Sequence, residues 1–234
     1  MTSQFSRKTI RFKLVVQILG VLIFAVTKLS AQDSVLTEKN LPFQKEVEEI
    51  ALRNDSLWDA SRETTVFTGS SSVRMWHDVQ ERFPEQHILN TGFGGSQASD
   101  LSYYIYDLIL RYSPKKVFVY EGDNDISAKK RPNAVRKTFR EIINGIHRND
   151  STTKVVIISP KPSIARWNLR GKYRRLNRKL ERLADEYPLV EFADVWKPML
   201  DGRKVKQDIF IEDGLHMNKK GYDIWFEALS PYVN

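Results

Sequence analysis

Along most of the chain, short apolar runs alternate with longer stretches of helical period. Five runs rich in Val, Ile or Phe, at 65–68, 88–91, 116–120, 155–159 and 190–193, predict strands. Between the last two, Leu169, Tyr173, Leu176, Leu180, Leu183 and Tyr187 recur at steps of three and four, with Arg and Lys on the other faces, which predicts an amphipathic helix. Val135, Phe139, Ile142 and Ile146 repeat the spacing in a second helix, and shorter helices fit 43–58, 98–112 and 218–229. Strand followed by helix, repeated, implies right-handed crossovers and a parallel sheet covered on both faces. The expected fold is α/β, a three-layer α/β/α sandwich around five parallel strands.

The first 31 residues stand outside that pattern. Arg7, Lys8, Arg11 and Lys13 precede the apolar run LVVQILGVLIFAV, and small residues follow at Ser30 and Ala31, as in a secretory signal peptide. The run contains Gln17 and falls short of the ~18 apolar residues of a spanning helix, which disfavours an uncleaved anchor. The expected organisation is a signal peptide at 1–31 and one domain at 32–234, periplasmic or extracellular.

Removing the leader changes the charge. Residues 1–31 hold five of the 37 Lys and Arg and none of the 29 Asp and Glu, so the remainder carries 32 minus 29, or +3. That is too little, and too dispersed, to suggest nucleic acid as a partner. The chain has no cysteine, so the core alone must hold the fold, and thiolate metal sites, thiol nucleophiles and a lipid-modified cysteine are excluded.

In an open parallel sheet, ligands bind beyond the carboxyl ends of the strands. Strand one runs there into Gly69, Ser70, Ser71 and Ser72, strand two into GFGGS at 92–96, and strand three into EGDND at 121–125. A fourth segment, EDGLH at 212–216, precedes the last helix. Each has an ordinary explanation taken singly. Serines cap helices, and GFGGS makes a turn, with Gln97 where a dinucleotide motif needs glycine. DND starts a helix and fails as a calcium loop, because Ala128 stands where glycine is required. Taken together, the four segments supply the parts of acyl transfer. Ser71 is the nucleophile, His216 the base and Asp213 the acceptor that holds the base in one tautomer. The Ser71 N–H, the Gly95 N–H and the Asn124 side-chain amide are the donors for an oxyanion.

These blocks, GSS, NTGFGG, GDND and DGLH, resemble in order those of the SGNH hydrolases, also called GDSL-type esterases and lipases. The resemblance spans about 66–225, and GSSSVRMW with NTGFGG is most similar to bacterial relatives of platelet-activating-factor acetylhydrolase. It implies a flavodoxin-like sandwich, ester hydrolysis without metal or cofactor, Ser71, His216 and Asp213 as the triad, and Ser71, Gly95 and Asn124 as the oxyanion hole. Two positions depart from the family pattern. Ser70 and Ser96 stand where Asp is usual, a paired change expected to alter the hydrogen bonds that tether the first two blocks.

Trp76, Phe93, Tyr120, Arg166 and Trp167 are candidates to line the substrate pocket by proximity to these loops, or else core and rim residues. The segment 161–171 is expected to vary with substrate. An acylated glycan, a lipid and a small ester all fit as substrate, and oligomeric state is left open. The alternative from another class is a catalytically silent glycan-binding module of the same fold, and a phosphate-binding flavodoxin-like protein is a more distant one. His77, His87 and His147 have no carboxylate at a spacing that suggests catalysis.

Overall fold

The computed structural model describes residues 41–233; the segment read as a signal peptide lies outside the described residues. Chain order is α1 (Gln44–Leu57), β1 (Thr64–Gly69), α2 (Ser71–Arg74), α3 (Val79–Arg82), β2 (His87–Asn90), α4 (Ala98–Tyr103), α5 (Ile105–Leu108) and β3 (Lys116–Tyr120). There follow α6 (Asp123–Ser127), α7 (Pro132–Asn149), β4 (Lys154–Ile158), α8 (Arg170–Ala184), β5 (Val190–Ala193), a small hairpin of β6 (Leu200–Asp201) and β7 (Lys204–Val205), and α9 (Lys219–Val233).

The five main strands form one parallel sheet in the order β2-β1-β3-β4-β5. This is the flavodoxin-like order, with β1 and β3 at the centre and the chain reversing direction of winding between them. Alternate residues of each strand point to opposite faces, so each strand feeds two cores. Val66, Val117, Val119, Val155 and Ile157 join one, beneath α1, α4, α5, α7 and α8. Phe67, Phe118, Tyr120, Val156 and Ile158 join the other, beneath α2, α3 and α9. That second core is aromatic: Phe67 stacks on Phe118 at 4.2 Å, and Trp76 meets Trp225 edge-on at 5.8 Å. Both faces are buried because both are covered, which explains strands that read as continuous apolar runs.

The expected strands and long helices occur within a residue or a few of their predicted bounds. The helix expected over 98–112 is instead α4, α5 and a 3-10 turn at Leu110–Tyr112, broken at Tyr104 and Ile109. Leu101, Tyr104, Leu108 and Tyr112 are all buried at helical spacing, so the hydrophobic pattern survives kinks in the backbone and does not report them. The Tyr104 hydroxyl donates to Pro42 O at 2.7 Å, fixing the first kink against the chain leading into α1. The 200–205 hairpin has too few residues to show a period.

Candidate active site

The sheet brings the four sequence segments to its carboxyl edge. Gly69 ends β1 at φ +120°, and a Cβ there would stand 1.9 Å from Tyr120 O on the neighbouring strand, so only glycine lets the chain turn sharply into α2. Ser70 N donates to that same Tyr120 O at 3.0 Å. Ser71 is thereby the first residue of α2, with an N–H that has no intrahelical acceptor.

Ser71 Oγ lies 3.0 Å from His216 Nε2, and His216 Nδ1 lies 2.5 Å from Asp213 Oδ2. The Asp213 carboxylate also accepts from the Leu215 and His216 amides at 2.8 and 2.9 Å. Partial burial pushes this carboxyl up, but the His216 ring and the two amides outweigh it and hold it at about 2. An ionised Asp213 keeps the proton on Nδ1 and leaves Nε2 to accept from the Ser71 hydroxyl. The turn carrying both residues is closed by Gly214 at φ +61° and by Ile211 N donating to His216 O at 2.9 Å. Ala165 N donates to Gly214 O at 3.0 Å, docking the turn on the loop after β4.

Asn124 is the second residue of α6, and its Nδ2 faces Ser96 O at 2.8 Å and Ser70 Oγ at 3.1 Å. Both positions that depart from the family pattern therefore meet on this one amide, which links the loops after β1, β2 and β3. Gly95, at φ +72°, is exposed beside them with open space where a Cβ would be. The Ser96 hydroxyl donates to Glu121 Oε1 at 2.6 Å. Glu121 is fully buried with Oε2 unpartnered, and burial drives its carboxyl well above the ordinary range, against the Ser96 hydroxyl that lowers it.

The five residues proposed from sequence to line a pocket divide into two groups. Trp76, Phe93 and Tyr120 are wholly buried in the cores and offer no surface to a substrate, so the core reading applies to them. Arg166 and Trp167 are partly exposed, and Arg166 reaches the site. Arg166 is tied to Asp123 and Asn124, and Trp167 stacks on Trp196. Of the other histidines, His87 Nε2 accepts from Asp59 N at 3.2 Å, and His147 Nε2 meets Thr153 O at 3.1 Å near the end of α7. His77 is exposed away from the Ser71 hydrogen-bond chain.

Sequence reasoning missed the polar groups beneath the site. Asp123 is buried and accepts from the Tyr173 hydroxyl at 2.5 Å and the Tyr120 hydroxyl at 3.1 Å, with Lys161 Nζ at 3.5 Å. Burial opposes the Asp123 charge, but Lys161 and Arg166 hold the carboxyl below its ordinary range. The one available signal was Lys161, three residues past the end of the apolar β4 run, where a charge close to the buried strand end has to be satisfied. Glu46 of α1, also missed, accepts from Gly94 N at 2.8 Å beside the glycine loop. Among the described residues no group of three or more His, Asp and Glu is placed to hold a metal.

A parallel sheet in this order, with Ser, Gly, Asn and His in the loops at its carboxyl edge, defines the class of SGNH-type α/β hydrolases. The model of the GDSL-like lipase/acylhydrolase family matches residues 18–224, and the chain belongs to that family as a carboxylic ester hydrolase. Among solved structures, a Streptococcus pneumoniae protein provisionally named a platelet activating factor is similar at 24% identity and TM-score 0.72, over 91% of this chain and 99% of its own. A GDSL-like lipase from Bacteroides thetaiotaomicron is similar at 19% identity and TM-score 0.69, over 80% and 96%. An acetyl-xylooligosaccharide esterase from Geobacillus stearothermophilus is similar at 16% identity and TM-score 0.62, over 74% and 94%. No curated protein matches the chain.

Proposed function

We propose that the protein is an exported serine esterase that removes short acyl groups, acetyl foremost, from a glycan, lipid or small-molecule carrier. The observation that carries this reading is the continuous chain from Ser71 Oγ through His216 to Asp213, at 3.0 and 2.5 Å. Ser71 Oγ attacks the ester carbonyl carbon as its proton passes to His216 Nε2. The carbonyl oxygen takes up the negative charge in front of the Ser71 and Gly95 amides and Asn124 Nδ2. Collapse breaks the carbon–oxygen bond to the alcohol, which leaves with the proton from His216. Water, deprotonated by the same imidazole, then attacks the acyl-enzyme and frees Ser71.

Export rests on the leader-like segment at 1–31, and a short acyl group suits an open site. Exposed Gly95 borders it, and the exposed side chains of Ile164 and Ile211 flank the Asp213 turn as a small apolar rim. The similarity to an acetyl-xylooligosaccharide esterase supports acetyl on a sugar among the carriers.

The test is hydrolysis of p-nitrophenyl acetate by residues 32–234 beside the Ser71→Ala variant. Turnover is expected in the parent and a loss of about 10⁴ or more in the variant. Full activity in Ser71→Ala would overturn the assignment of the nucleophile. A folded parent without turnover that also resists labelling by a fluorophosphonate would overturn the esterase reading of this site.

A further inference from the structure

We propose that Arg166 is a positioning residue for the oxyanion hole, holding the Asn124 amide in the one orientation that turns Nδ2, not Oδ1, toward the developing charge. The inference rests on the role given to Asn124 above.

The two ends of an asparagine amide are nearly the same shape, and only Nδ2 can serve an oxyanion. Arg166 Nη2 donates to Asn124 Oδ1 at 3.1 Å, while on the other side Nδ2 donates to Ser96 O at 2.8 Å and to Ser70 Oγ at 3.1 Å, the second hydrogen being the one an oxyanion would take over from the Ser70 hydroxyl. A guanidinium has five donors and no acceptor. Turning the amide over would set its NH2 against the guanidinium and its oxygen against the Ser96 carbonyl. Both contacts would be repulsive, so Arg166 and Ser96 O together select one orientation.

The guanidinium is itself fixed, because Nη1 donates to Asp123 Oδ1 at 2.5 Å. Asp123 and Asn124 are consecutive, so the planar fork bridges two neighbouring side chains, a geometry that a lysine ammonium cannot reproduce. The buried Lys161 stands 3.5 Å from the same carboxylate and donates to Leu215 O at 2.7 Å, inside the turn that carries Asp213 and His216. Two cationic side chains, Arg166 and Lys161, face the Asp123 carboxylate. A cation on the amide oxygen also polarises the Nδ2 hydrogens and strengthens them as donors. The Arg166 side chain is 19% exposed and committed to these partners, so it acts through Asn124 rather than on the substrate.

A double-mutant cycle tests this with p-nitrophenyl acetate, with folding checked by circular dichroism. Arg166→Met is expected to lower kcat about tenfold with KM changed less than about twofold. In an Asn124→Ala background the same substitution should change kcat by less than about twofold, because the group it positions is gone. Additive losses, or a loss carried by KM, would overturn the proposal. Arg166→Lys keeps a charge but not the fork, so it should lose nearly as much and be equally silent beside Asn124→Ala; full activity in it would overturn the fork argument. Failure of both variants to fold would make Arg166 structural and likewise overturn it. Asn124→Ala alone should lose about 10² to 10³ in kcat. Undiminished turnover in that variant or in Ser71→Ala would instead refute the underlying reading of the site, whatever the cycle gives.

Discussion

Asp213 and Glu121 are two carboxyls of one site driven in opposite directions by their surroundings. Asp213 is partly exposed and accepts three hydrogen bonds, which hold it at about 2. The stability from its charge is therefore present above the ordinary carboxylate range and is lost as pH falls toward 2, and solvent screening keeps it small. Asp213→Asn should lower kcat by about 10² to 10⁴ through loss of the correct tautomer. In urea melts, its stability difference from the parent should narrow from pH 6 to pH 3. Glu121 has the reverse sign: buried with one unpartnered oxygen, it binds its proton more tightly folded than unfolded. Its stabilising protonation is present below the ordinary carboxylate range and is lost as pH rises through the raised folded value. Glu121→Gln keeps an acceptor for Ser96 and removes the titration. A thermal melt series should show the parent losing stability with rising pH and the variant losing less; parallel curves would mean Glu121 is charged in the folded state.

At the scale of the element, the turn from β1 into α2 and the glycine loop after β2 both contain a left-handed glycine, but for different reasons. Gly69 is hemmed in by the Tyr120 carbonyl, so Gly69→Ala adds a clash to backbone strain and should destabilise the protein by about 3 kcal/mol or more. Gly95, at φ +72°, has open space around it, so Gly95→Ala should carry only the strain of the backbone, about 1 kcal/mol, and show chiefly in kcat. Chemical denaturation separates the two, and equal destabilisation would contradict this account. The segment 98–112 is the counterexample on the sequence side. Its buried residues repeat like one helix while the backbone breaks at Tyr104 and Ile109, because burial follows side-chain direction and not the unbroken run of hydrogen bonds.

For the molecule as a whole, stability comes from two apolar cores on one sheet, without cysteine. Under the proposed mechanism activity should be unaffected by EDTA, because that mechanism uses the hydrogen-bonded chain Ser71–His216–Asp213 and the described residues contain no cluster able to grip a metal. A loss of turnover on chelation, restored by a divalent ion, would redirect attention to Asp123 and Asp125 of α6. The same sheet that separates the cores gathers loops from residues 69–72, 95–96, 124 and 213–216 at one edge, so the site exists only once the crossovers are complete.

What the sequence determined by itself was whatever has a local or periodic signature. The alternation of apolar runs and amphipathic stretches specifies strands, helices and a parallel sheet, and the residue types of the Ser71, Gly95, Asn124 and Asp213–His216 segments specify acyl chemistry. The tertiary structure decided which side chains share a contact across tens of residues. That Ser70, Ser96 and Arg166 all meet on Asn124, that Lys161 is satisfied by Asp123 and Leu215 O, and that Trp76, Phe93 and Tyr120 are core rather than pocket depends on strand order and loop docking. None of these pairings has a fixed spacing along the chain. Hydrogen bonds and burial are set by distance in space, and only the folded sheet turns separation in sequence into that distance.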